Sequence, residues 1–194
     1  MSALVGNVGW MGWNLVLALV PLGLARYLFG HRTRPSWLLW TGGAVFVAFL
    51  PNAPYVLTDV LHMPYDMSAA HGDAWLAAAL AAQYASFVGI GFVAYVLSLV
   101  RFERWLAERG LSRRAVFLVD LSLHAVCAVG ILLGRVFRFN SWDVLTDPRG
   151  LLGTLTVPAP RTVAVLFVLF VALAGGAAVL RALPAIVNRA ARSV

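Results

Sequence analysis

The feature that constrains this chain most is the alternation of long, nearly uncharged runs with short clusters of arginine. A hydrocarbon layer of roughly 30 Å takes about 20 helical residues to cross. Runs of that length recur at about 8–29, 37–57, 74–100, 115–134 and 162–183. Composition points the same way: 61% of the 194 residues are hydrophobic and only 12% are charged, where a water-soluble globule has about half and about a quarter. The expectation is an all-α fold, a polytopic transmembrane helical bundle of five spanning helices in a single integral membrane domain, 1–194.

Arginine placement sets the expected orientation. Arg26, Arg32, Arg34, Arg101, Arg104, Arg109, Arg113, Arg114, Arg181, Arg189 and Arg192 fall on one side of the five runs, and Arg135, Arg138, Arg149 and Arg161 on the other. Basic residues favour the cytoplasmic side. The N-terminus is therefore expected outside and the C-terminus inside, in a multi-pass protein of the cell inner (cytoplasmic) membrane with the lipid bilayer as its surroundings. The formal net charge of +7 then reports topology, and nucleic acid is not an expected partner. The opening MSALVGNVGWMGWN lacks the positive region of a signal peptide. It reads as the entry to the first span, with Trp10 and Trp13 in an interfacial aromatic belt. The lone cysteine, Cys127, lies in an apolar run, so no intrachain disulfide is available.

This topology brings two polar stretches to the same outer face. One follows the second run, whose Pro51-Asn52-Ala53-Pro54-Tyr55 should kink or unwind the helix and free backbone groups that need partners. It continues to Asp73 through Asp59, His62, Asp66 and His71. The other is Gly134 to Asp147, GRVFRFNSWDVLTD. Asp59 and His62 are three apart, as are Arg135 and Arg138, so on helices each pair shares a face. A carboxylate, an imidazole and two guanidiniums can hold a phosphate or carboxylate and move a proton. The same residues also read as solvated loop groups, with the arginines complementing the carbonyl end of the fourth span. Asn140 or Ser141 could cap a short interfacial helix with Asp143 in its first turn, or Asp143 could be catalytic. None of His62, His71, Asp59, Asp66 and Asp73 stands at a recognised ligand spacing, so no metal and no cofactor is expected.

Within the bilayer Asp120 and His124 are four apart on one face of the fourth span. Ten residues from Arg114 place His124 about 15 Å in, near the midplane. Ionisable groups there mark a partner or a proton path. One reading bonds a neutral His124 to Asp120 or to a neighbouring helix, with an arginine such as Arg26 answering the carboxylate; the other makes the pair the proton site of a transporter subunit. In the third span Ala81, Ala85 and Gly89 form a small-residue stripe suited to close helix packing.

Three segments carry a family likeness: Trp13-Asn14-Leu15, the run FLPNAPYVLTD from Phe49 to Asp59 with His62 beyond it, and Gly134-Arg135 with the RFNSWDVL that starts at Arg138. On them the chain resembles a family of uncharacterised bacterial multi-spanning membrane proteins, defined only as a domain of unknown function. The resemblance implies an integral membrane protein and brings no activity or ligand with it. Its motifs coincide with the outer-face polar residues. The leading expectation is therefore a site there for an anionic or amphiphilic ligand, such as a lipid headgroup. Arg135 and Arg138 would hold the anion, Asn52, Tyr55 and Asn140 would orient it, and Asp59, His62 and Asp143 would carry any proton transfer. A transporter subunit using Asp120 and His124, or a membrane assembly or scaffold protein, are the alternatives.

Overall fold

The computed structural model describes residues 2–30, 36–68, 70, 72–135, 137, 146, 149–150, 153 and 159–183. Among these it is all-helical, with five helical stretches long and apolar enough to cross a membrane. They are built from α1 (Ser2–Leu28), α2 (Ser36–Phe49), α3 (Asn52–Asp59), a 3-10 turn (Val60–His62), α4 (Met63–Ser68), α5 (Ala74–Glu108), α6 (Arg113–Arg135) and α7 (Pro160–Ala182).

The organising element is α5. Its 35 residues give about 52 Å at 1.5 Å per residue, well beyond the thickness of a hydrocarbon layer. The helix passes Val100 and takes up Arg101, Glu103, Arg104 and Glu108, beyond the apolar run expected at about 74–100. Both ends have local causes. Asp73 accepts the backbone N–H groups of Trp75 and Leu76, each at 3.0 Å, satisfying donors that a helix start leaves orphaned. At the far end Gly110, with φ +84°, lets the N–H groups of Gly110 and Leu111 turn back to the carbonyls of Ala107 and Leu106. That pairing is a Schellman stop.

α1 packs along α5 most extensively, α3 is clamped between α1, α5 and α6, and α7 lies on α6. The core forms where these meet, around Phe46, Leu50, Val56, Tyr84, Tyr95 and Ile131. Close approach is set by glycine. A Cβ at Gly91 would meet Val56 at 2.5 Å and the Ala53 carbonyl at 3.0 Å, and one at Gly130 would meet Pro51 at 2.6 Å. The expected stripe is not where the helix packs: a Cβ at Gly89 would meet nothing within 4 Å, and Ala85 is exposed. Its face points away from the bundle, and Gly91 serves instead.

The second span breaks at Leu50 and Pro51 and then resumes as helix through Ser68, so the polar stretch after Leu57 is mostly helical. Around the two prolines several backbone groups are paired locally. The Asn52 side-chain amide donates to the Phe49 carbonyl at 3.0 Å, Ala53 N–H to Leu50 O at 3.2 Å and Tyr55 N–H to Pro51 O at 3.1 Å. A membrane helix can carry prolines when such local bonds are made.

Candidate functional site

The last turn of α3 and the last residue of α6 meet at one end of the bundle. Arg135 Nη1 lies 3.2 Å from Asp59 Oδ1, and Arg135 Nη2 donates to the Thr58 carbonyl at 2.6 Å. Asn14 of α1 donates its amide to Asp59 Oδ2 at 3.1 Å. Both oxygens of a carboxylate that is only 2% exposed thus have donors, as a buried charge requires. The guanidinium lies 5.5 Å from the centroid of the Tyr55 ring, within range of a cation–π contact. The expected topology brought Asp59 and Arg135 to one face; in the structure they are in contact.

His62 is exposed. Its Nδ1 stands 3.2 Å from the Asp59 carbonyl and its ring centroid 5.5 Å from that of Trp10. It therefore touches the backbone of Asp59, not the carboxylate. Trp10 packs inward against Phe87 and Tyr84 and donates to Asn7. Beside it lies a polar group that spacing did not reveal. Asp66 accepts from the Asn7 amide at 2.6 Å and from the Tyr84 hydroxyl at 2.8 Å, and Gln83 donates to the Leu4 carbonyl at 3.1 Å. Of the other predicted site residues, Arg138, Asn140 and Asp143 lie outside the described residues.

From this polar corner a groove of about 1370 Å³ runs between α1, α2 and α6 to the far end of α5. Asn14, Asn52, Tyr55 and Gly134 line the end beside Arg135, while Phe29, Phe102, Trp105 and Arg109 line the other. Between them the walls are apolar, from Leu17, Gly43, Phe46, Val47, Val126 and Val129.

The Asp120–His124 pair has partners from two other helices, α5 and α7. His124 Nε2 lies 3.5 Å from Asp120 Oδ1, and its Nδ1 is 2.6 Å from the Tyr95 hydroxyl. Asp120 is answered by Arg181 of α7, not by Arg26, through bonds of 2.9 and 3.0 Å, and Arg181 also reaches Glu103 at 2.7 Å. Arg181 was readable as a cation inside an apolar run, which demands an acidic partner. Counting it as a topology marker hid that demand. Among the described residues no cluster of three or more His, Cys, Asp or Glu side chains is placed to hold a metal ion.

Residues 13–175 match the model of a family described as a protein of unknown function (DUF1361). No curated protein and no solved structure matches the chain.

Proposed function

The chain belongs to that family, whose description assigns no activity, and we propose from the geometry that it binds an anionic amphiphile, through its headgroup, at a polar site on the outer face of the cytoplasmic membrane. The orientation follows from the arginine count, N-terminus out and C-terminus in. The observation that carries the reading is the placement of the Asp59–Arg135 pair beside the polar end of a long apolar groove. An amphiphile needs such a boundary between polar and apolar walls.

In this reading Asp59 positions Arg135 and does not act on the ligand, because both of its oxygens are engaged and it is buried. Arg135 keeps a quarter of its side chain exposed, and a guanidinium offers five donors in a fork suited to phosphate. It is the residue that takes the anion, joined by Arg138 as the sequence implies. Tyr55 and Asn52 face the groove as hydrogen-bonding walls, with Asn140 and Asp143 assigned to the same site by sequence. His62, exposed beside the Asp59 backbone, is assigned to the same site by sequence. The partners of Asp120 and His124 support a clamp between helices more than a proton route, because Arg181 and Tyr95 already engage them.

The test is ligand-dependent thermal stabilisation of the purified protein. An amphiphile with a phosphate head should stabilise it, and the same chain ending in an alcohol should not. The double variant Asp59→Asn with Arg135→Gln, which removes both charges together, should lose the phosphate preference. Equal responses to the two heads in wild type would refute the headgroup site.

A further inference from the structure

We propose that the groove between α1, α2 and α6 holds the tail of one long isoprenoid chain whose phosphate lies at Arg135. The inference rests on the headgroup reading above and names its ligand class.

Size is the first argument. At about 1370 Å³ the groove exceeds the roughly 300–1,000 Å³ that holds a drug-sized ligand, so a headgroup alone leaves most of it unfilled. Length is the second. Along α1 the lining runs from Trp13 to Phe29, about 24 Å at 1.5 Å per residue. One leaflet of a layer of roughly 30 Å offers only about 15 Å. A tail rooted beside Tyr55 and filling the slot crosses the midplane, where the tails of an ordinary phospholipid of that leaflet end. The occupant is therefore longer than a leaflet lipid.

The walls and ends fit such a chain. The aromatic side chains of Trp40 and Phe49 are among the slot's lining, and a methyl-branched, unsaturated chain packs against them by dispersion. At the far end Arg109 stacks over Trp105, 3.9 Å from its ring centroid, and marks the return to a polar layer. Lipid tails are as apolar as the slot, so no hydrophobic transfer drives entry and the gain comes from packing. The expected preference for a long chain is accordingly modest, about tenfold in Kd.

Gly43 gives the means of testing this, since it lines the groove and a Cβ there meets nothing within 4 Å. Binding of a long polyprenyl phosphate, a two-unit isoprenyl phosphate and a diacyl phosphatidate would be compared on the purified full chain. The long polyprenyl phosphate should bind about tenfold tighter than either of the others. Gly43→Trp should bring it down to the short chain's level while leaving the short chain's affinity unchanged. Ala48→Trp, on the same wall, serves if the first variant does not fold. Equal affinity for long and short chains would overturn the slot and leave the headgroup site standing. Phosphatidate binding as tightly as the long polyprenyl phosphate would overturn the isoprenoid assignment. If the alcohol of the long chain binds as well as its phosphate, the headgroup reading falls and this inference with it.

Discussion

Arg181 grips Asp120 with both terminal nitrogens, Nη1 to Oδ2 at 2.9 Å and Nη2 to Oδ1 at 3.0 Å. The fork joins α7 to α6, and the same guanidinium reaches Glu103 on α5 at 2.7 Å. Most of α7 is exposed, with Leu173 and Ala177 its buried residues, so little apolar burial holds it. The charge cluster is what fixes its C-terminal end.

Replacing Arg181 with Ala should therefore be severe. Removing one partner of a buried pair leaves uncompensated charge and costs roughly 3–5 kcal/mol. A triple variant, Arg181→Met with Asp120→Asn and Glu103→Gln, should recover most of that loss because no charge is stranded. Thermal unfolding in detergent reads both. A single variant as stable as wild type would show that the cluster contributes nothing to holding α7.

The Tyr95 hydroxyl and His124 Nδ1 are 2.6 Å apart, and both residues are buried. Tyr95→Phe should cost about 1 kcal/mol, the usual worth of one hydrogen bond, plus the penalty of an unpaired buried imidazole nitrogen. In the background His124→Leu the same change should cost nearly nothing. A double-mutant cycle checks this, and full additivity would mean that the two groups do not interact.

The two glycines of α5 should behave oppositely. Gly91→Ala pushes a methyl group into Val56 and the Ala53 carbonyl, an overpacking worth about 1–3 kcal/mol. Gly89→Ala enters open space and gains up to about 1 kcal/mol of helix propensity. Comparing the two unfolding temperatures tests whether α3 is seated on α5 as described, and a neutral Gly91→Ala would contradict that packing.

The number of spans was legible because an apolar run of about 20 residues has one use in a lipid layer. Their ends were less so. Glu103 and Arg101 look like loop residues by charge, yet α5 continues through both, and Glu103 finds its partner, Arg181, inside the bundle. The meeting of Asp59 and Arg135 could be anticipated, since topology put both on one face. Asn14 could not be assigned to that pair, because nothing in a single polar residue on α1 says which neighbour it turns toward. The partner of Asp120 was missed for the same reason in reverse. Proximity to the inner surface favoured Arg26, whereas helix packing brings Arg181.

Orientation is the remaining prediction, and the length of α5 makes it sharp. Asp66 of α4 is bonded to Tyr84, and Glu108 ends the same helix. The 24 residues between Tyr84 and Glu108 span about 36 Å, more than a hydrocarbon layer of roughly 30 Å, so the neighbourhoods of Asp66 and Glu108 lie on opposite sides. Tyr65 is 81% exposed and suits a label. On a Cys127→Ser background, Tyr65→Cys should react with an impermeant thiol reagent added outside intact cells. Glu108→Cys should react only after permeabilisation. The opposite pattern would invert the bundle and move the Arg135 site to the cytoplasmic leaflet, where the same geometry would meet lipids of that face. Labelling of both from outside would break the assignment of α5 as a membrane span.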